Sequence, residues 1–211
     1  MESRSYEITT AAGVSVRVAQ GHFSTNHSHI NYYVDTTPLK ASHSDAIAAA
    51  KQLAAKYVYN TLVDTIVCIE GTEIIGAFLA EELTKQGIRS MNTQRTIYVI
   101  PPEYNSSGQL IFRDNIRPMI AGKNVIVLLA DVTTGRTSAR CVEGVQYYGG
   151  NVRGVCALFS AVEDVSGYPG TAVVTTKDIP DYQAYRAQDC PFCQQGVKLD
   201  ALVNSFGYSK L

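Results

Sequence analysis

The chain has 211 residues, 45% hydrophobic and 18% charged, with 18 basic against 19 acidic side chains and a formal net charge of −1. That balance excludes an intrinsically disordered segment and a sequence-independent nucleic-acid binder, which needs a broad basic field; any anion must be held by a local device. No window reaches the length of a membrane span and MESRSYEITTAAG has no apolar core behind its charges, so the expectation is a cytoplasmic protein with neither membrane nor nucleic-acid partners. The length fits one domain over residues 1–211.

In chain order, GVSVRVAQ (13–20) alternates as a strand does, and GHFSTNHSHINYYVDTT (21–37) is polar, aromatic and turn-rich, a surface hood rather than a core element. SHSDAIAAAKQLAAKYVYN predicts a helix: Ser42 with Asp45 makes a capping-box-like start, and Ile47, Ala50, Ala54 and Tyr57 recur at helical spacing. TIVCIE (65–70) is a short β-branched run, hence a strand buried on both faces. A helix is expected over TEIIGAFLAEELTKQG, with Ile75, Leu79 and Leu83 one turn apart and Gly87 as its stop. RTIYVIPPEYNSSGQLIFRDN has two β-rich arms around a turn cluster at 105–108, a long hairpin or flexible flap.

The clearest block follows. KNVIVLLAD is an apolar strand, VTTGRTS a small polar turn, ARCVEGVQYYGG a helix with Cys141, Val145 and Tyr148 on one face, and NVRGVCALFS a second buried strand. This order is the crossover unit of a parallel sheet covered by helices, so the fold class is α/β with a mostly parallel central sheet. TAVVTT (171–176) adds a strand, and GVKLDALVNSFG predicts a short closing helix in an amphipathic tail.

In such sheets ligands bind beyond the carboxyl ends of the strands. The turn ADVTTGRTS is placed there. Asp131 ends the strand, and Thr133, Thr134, Gly135, Arg136, Thr137 and Ser138 offer hydroxyls and backbone N–H groups at a helix start, a setting that favours a phosphate. Asp131 can accept hydrogen bonds from sugar hydroxyls or hold magnesium. The competing reading is ordinary helix capping by Thr, Ser and Gly.

VIVLLADVTTGRTSA resembles the phosphoribosyl pyrophosphate loop of type I phosphoribosyltransferases: an apolar strand, acids, an aliphatic pair, then small hydroxyl and glycine residues. GHFSTNHSHINYYVDTT and VCIEGTEIIGAFLAEEL are similar to the N-terminal segment and the pyrophosphate loop of orotate phosphoribosyltransferases, so the resemblance spans most of the chain up to about Ser160. It implies a phosphoribosyltransferase-type fold with a small hood (1–40), a core sheet (60–176), a flap and a C-terminal tail (185–211). It also implies an enzyme of nucleotide metabolism, of the kind serving pyrimidine biosynthesis, that transfers ribose 5-phosphate from phosphoribosyl pyrophosphate to orotate or another nucleobase and releases pyrophosphate. Magnesium is the implied cofactor and a homodimer the implied assembly. By the same resemblance Thr133 to Thr137, preceded by Val132, would cradle the 5-phosphate; Asp131 would contact the ribose; Glu70, Gly71 and Thr72 would form the pyrophosphate loop; and Arg95 would face the pyrophosphate.

Three positions depart from the pattern. Ala130 stands where the family has the first of two adjacent acids, the flap PPEYNSSGQLIF carries no basic residue, and Ser160 and Ala161 offer no arginine for an orotate carboxylate. The alternative function is therefore a catalytically weakened relative that binds a nucleotide or phosphoribosyl ligand and regulates. Arg136, at a position usually small, is expected to add a cation beside the phosphate that would compensate in part.

Five cysteines are present; Cys68, Cys141 and Cys156 sit in apolar runs, and only Cys190 and Cys193, in CPFCQQG, are paired by spacing. A C-x-x-C pair supplies half of a structural zinc site, whose other ligands would come from His22, His27, His29 or His43, other thiols or a partner; a tight turn with two reduced thiols is the alternative. Phe23, Tyr32 and Tyr33 are candidates for stacking on a planar base, against a polar loop at a subunit interface.

Overall fold

The computed structural model describes residues 4–85, 90–93 and 95–211. The chain opens with three strands, β1 (Arg4–Thr9), β2 (Ser15–Ser24) and β3 (His29–Asp35), followed by helices α1 (Thr37–Ala41) and α2 (His43–Ala54). Then come β4 (Thr65–Cys68), α3 (Glu73–Thr84) and β5 (Tyr98–Ile100), a small pair β6 (Glu103–Tyr104) and β7 (Leu110–Ile111), and the unit β8 (Asn124–Val132), α4 (Arg136–Tyr147) and β9 (Asn151–Ser160). The last part holds β10 (Asp164–Val165), β11 (Tyr168–Thr175), β12 (Ala184–Tyr185), the one-turn α5 (Pro191–Gln194), β13 (Ala201–Asn204) and β14 (Gly207–Lys210).

Among the described residues these strands make two larger sheets. The central one runs β10-β11-β9-β8-β4-β5, parallel throughout except at the β10 edge. Its middle strands are covered on both faces, which is why they are unbroken apolar runs: Val125 to Ala130 have no exposed surface. Ile66, Cys68, Ile126, Leu128 and Leu158 point to the face packed by α2, α3 and the second sheet, whereas Val67, Ile69, Val127, Leu129 and Val155 point to the α4 face. Ser42 caps α2 by accepting the Asp45 N–H at 3.4 Å, and Ile75, Leu79 and Leu83 of α3 are wholly buried, as their spacing predicts. The stop predicted at Gly87 lies outside the described residues. Gly76 lets α3 lie close on the sheet, because a Cβ there would run into the Cys68 thiol and come within 3.0 Å of Val99.

The second sheet, β12-β3-β2-β13-β14 with β1 on β2, roofs the carboxyl ends of the central strands and corrects two expectations. Residues 21–37 are not a surface segment: Phe23, Ile30, Tyr32, Tyr33 and Val34 are buried core positions on β2 and β3. The predicted closing helix is instead the hairpin β13–β14, with β13 parallel to β2. Along ALVN the pattern is buried, exposed, buried, exposed, a period of two that a four-residue stretch does not distinguish from a helix on hydropathy alone. The long flap is also shorter than predicted. Its first arm, β5, joins the central sheet beside β4, and Pro101 and Pro102, which lack N–H groups, end it, leaving only β6 and β7 as the hairpin. No described helix is long and apolar enough to cross a membrane.

Candidate functional site

A cavity opens between the two sheets, over the carboxyl ends of β4, β8 and β9. Glu70, Asp131, Thr133 and Thr137 line its floor, Phe159 and Tyr182 one wall, and Ile30, Tyr32, Tyr33 and the β13–β14 turn its roof.

Two strand-to-helix loops meet there. After β8, Gly135 adopts φ +76 and serves as N-cap of α4, so no side chain covers the first N–H groups of that 12-residue helix. Ser138 instead turns its hydroxyl back to the Gly135 carbonyl at 3.0 Å. The result is an open, electropositive helix start flanked by the half-buried Thr133 and Thr137. After β4, Glu70 and Gly71 take consecutive positive φ values of +63 and +81, a shape that strains Glu70 and is natural for Gly71. Glu70 Oε2 is buried without a partner, and burial raises its carboxyl above the usual range, opposed mainly by Lys40.

Asp131 lies beside it. Burial, then the neighbouring Glu70 charge, push its carboxyl up to about 7, against the pull of Lys40 and of Thr36, whose hydroxyl donates to Oδ1 at 3.5 Å. The cavity thus has a second carboxylate beside Asp131, drawn not from position 130 but from Glu70, after the neighbouring strand β4. Ala130 itself is core.

Several sequence-predicted residues have other placements. Arg95 is paired with Asp64 at 3.3 Å, and both precede parallel strands at the amino end of the sheet, roughly 20 Å of extended chain from Glu70. It does not face the cavity, so the expected pyrophosphate contact is corrected. Thr72 is fully buried and donates its hydroxyl to the Ile69 and Leu128 carbonyls, at 3.0 and 3.1 Å. Its hydroxyl braces β4 against β8 and is not available to a ligand. Val132 turns its side chain into the core, and its carbonyl accepts the Ala161 N–H. Thr134 and Arg136 are exposed on the loop, outside the cavity lining, and Gly71 is exposed above it. Phe23 packs on Tyr33 at 6.1 Å and faces a separate cleft, whereas Tyr32 and Tyr33 reach the cavity. Cys190 and Cys193 face His22 and His29; His27 lines the cavity, and His43 packs edge-on against Phe78.

Two contributors escape sequence reasoning. Lys40, on α1, reaches the Glu70 carbonyl at 3.3 Å and the Ser205 carbonyl, and lies over the Phe206 ring, so it ties the acidic loop to the β13–β14 turn. Tyr182 stands edge-on to Phe159 with its hydroxyl buried and unpartnered. Lys40 lies just past the segment 21–37 that carries the family resemblance; Tyr182 has no local signal, since only the fold brings it to the site.

The chain matches no protein-family model. It is 26% identical over 180 residues to the orotate phosphoribosyltransferase of Desulforamulus reducens, covering 84% of this chain and 85% of that protein. With the enzyme of the same name from Pelotomaculum thermopropionicum it shares 27% over 184 residues, again 84% of this chain and 85% of the relative. It overlays on the crystal structure of Mycobacterium tuberculosis orotate phosphoribosyltransferase with a TM-score of 0.51 at 15% identity, over 84% of this chain and 91% of that one. The fold is therefore that of the phosphoribosyltransferases, an α/β architecture. In sequence the chain is similar to the orotate phosphoribosyltransferases.

Proposed function

We propose that this chain transfers ribose 5-phosphate from phosphoribosyl pyrophosphate to a ring nitrogen of a nucleobase. The observation that carries the reading is that the uncapped start of α4, Asp131 and the orphaned Glu70 Oε2 and Tyr182 hydroxyl all border one cavity. Unpartnered buried polar atoms are costly, and a ligand that pairs them removes the cost.

In this reading the N–H groups of the first turn of α4, with Thr133 and Thr137, hold the 5-phosphate, and Asp131 accepts from the ribose hydroxyls. The bond from ribose C1 to the pyrophosphate oxygen breaks and a bond to the base nitrogen forms. The sugar carries positive charge in between, which the carboxylates of Asp131 and Glu70 stabilise. Glu70 and Asp131, two hard oxygen donors with one oxygen free, fit a magnesium ion, which when bound neutralises charge on the diphosphate. The wall of Phe159 and Tyr182 and the roof of Ile30, Tyr32 and Tyr33 suit a flat ring. No described lining residue is Lys or Arg, so a base without a carboxylate is favoured over orotate. A homodimer in the cytoplasm belongs to the same reading.

One set of contacts favours a binding role without transfer. The arginines nearest the flap are engaged elsewhere: Arg113 with Glu103 at 2.6 Å and Arg117 with Asp114 at 3.4 Å. A magnesium-dependent assay with phosphoribosyl pyrophosphate and a panel of bases, read as pyrophosphate release, separates the two. Release with any base supports transfer. Tight calorimetric binding without release supports the regulatory role, and no binding removes both.

A further inference from the structure

We propose that His22, His29, Cys190 and Cys193 form a structural zinc site that clamps the N-terminal strands to the C-terminal segment. The four ligand atoms lie within 4.8 Å of one another: His22 Nε2 is 3.0 Å from His29 Nδ1, 3.4 Å from Cys190 Sγ and 3.7 Å from Cys193 Sγ, and Cys193 Sγ is 3.3 Å from His29 Nδ1. Tetrahedral zinc with bonds of about 2.0–2.1 Å to nitrogen and 2.3 Å to sulfur places its ligands roughly 3.3–3.8 Å apart. The edges of 3.3, 3.4 and 3.7 Å fall in that range, and the His22–His29 edge of 3.0 Å is slightly shorter.

The chain prepares each ligand separately. The β2–β3 register shifts between Gln20 and Phe23, a bulge that re-aims His22. Gly21 is required in it, since a Cβ there would come within 2.5 Å of Asp200 Oδ2. His29 is the first residue of β3. Cys190 caps α5 and Cys193 lies one turn on, where the Gln194 and Gly196 N–H groups fold back on the Cys190 and Cys193 carbonyls as a tight knuckle. Two strands joined by a short turn, together with a knuckle far away in the sequence, thus deliver four donors of the soft-and-borderline kind that zinc prefers.

Hydrogen bonding alone leaves this cluster unexplained. His22 Nδ1 lies 3.0 Å from the Val197 carbonyl, which can only accept, so Nδ1 carries the proton and Nε2 has one lone pair to offer. Three groups converge on that lone pair, and it can accept from only one of them well. A cation at the centre satisfies all four, and the Nδ1–H to carbonyl bond is the outer contact that orients metal-bound histidines. Cys190 and His22 are shielded from water, with Phe192 stacked on the His22 ring at 5.1 Å. The four ligands fill a closed tetrahedron, which assigns the metal to structure rather than chemistry. The proposal stands independently of phosphoribosyl transfer.

The full chain, purified under reducing conditions without chelator, is expected to carry one zinc per chain by elemental mass spectrometry. Chelator-treated protein should lose roughly 10 °C or more in thermal midpoint and regain it with zinc but not magnesium. Cobalt added to that protein should give the visible bands of tetrahedral cobalt and a thiolate charge-transfer band. Cys193→Ser, at an exposed thiol, should abolish the charge-transfer intensity of one sulfur and the stoichiometric zinc; His43→Asn should retain both. Wild-type protein that is metal-free and takes up no added zinc, that carries a different metal in stoichiometric amount, or that holds a Cys190–Cys193 disulfide under those conditions overturns the proposal.

Discussion

Two neighbouring loops, each running from a parallel strand into a helix, are built on opposite principles. The loop after β8 leaves its helix start open: its cap is a glycine, its one inward hydroxyl turns back on the cap, and its threonines flank free N–H groups. The loop after β4 closes on itself. Thr72 bonds the Ile69 and Leu128 carbonyls, and the left-handed turn at Glu70 and Gly71 brings to the cavity a carboxylate with one oxygen, Oε2, unpartnered. One end of the site attracts an anion and the other repels it unless a cation lies between. The pairing teaches that a site can hold its second acid on a different strand from the one where the sequence pattern looks for it.

Four substitutions break or sharpen that comparison. Asp131→Asn should have the largest effect, lowering kcat/KM for phosphoribosyl pyrophosphate by roughly 10²–10³-fold through lost charge-assisted hydrogen bonds, read in the pyrophosphate-release assay. The same residue sets a pH dependence. Its raised pKa means that it is protonated on the acid side of about 7 and ionised above, and only the ionised form accepts from two hydroxyls, so affinity should rise as pH increases through about 7. Asp131→Asn should flatten that step. Glu70→Gln comes next: removing the neighbouring charge should move the step to lower pH and raise the magnesium needed for half-maximal rate by roughly tenfold, measured by magnesium titration. Thr72→Val should act on stability instead, costing about 1–2 kcal/mol in denaturant unfolding while kcat/KM changes less than about twofold, because its hydroxyl serves the sheet. Arg95→Ala should do least, within about 1 kcal/mol in stability and about twofold in rate; a loss of rate of roughly a hundredfold would restore it to the pyrophosphate.

The central sheet was legible because its signals are local. Unbroken apolar runs such as VIVLLA, the helix spacing of Ile75, Leu79 and Leu83, and the Ser42 cap each point to one element, and β8–α4–β9 is a unit whose order alone implies its parallel pairing. The roofing sheet was not. Its strands are drawn from both ends of the chain: β13 pairs with β2, and its one local partner is the short strand β14. The site divides in the same way. Asp131, Thr133 and Thr137 sit on the motif and in the cavity, whereas Glu70 was identified with a different role, and Arg95 was misplaced because its side of the sheet depends on strand direction. Tyr182 becomes visible only in the fold, and which of the four histidines face the cysteine pair is decided only when residues some 160 positions apart are brought together.

The parallel pairing of β13 with β2, Ala201 beside Phe23 and Leu202 beside Ser24, also has a meaning for the birth of the molecule. At ribosomal speeds of about 5–20 residues per second, β2 leaves the ribosome roughly ten seconds or more before its partner is made. Through that interval the β2 backbone groups that later pair with β13 stand open at a sheet edge, the kind of template on which a stalled chain begins to aggregate.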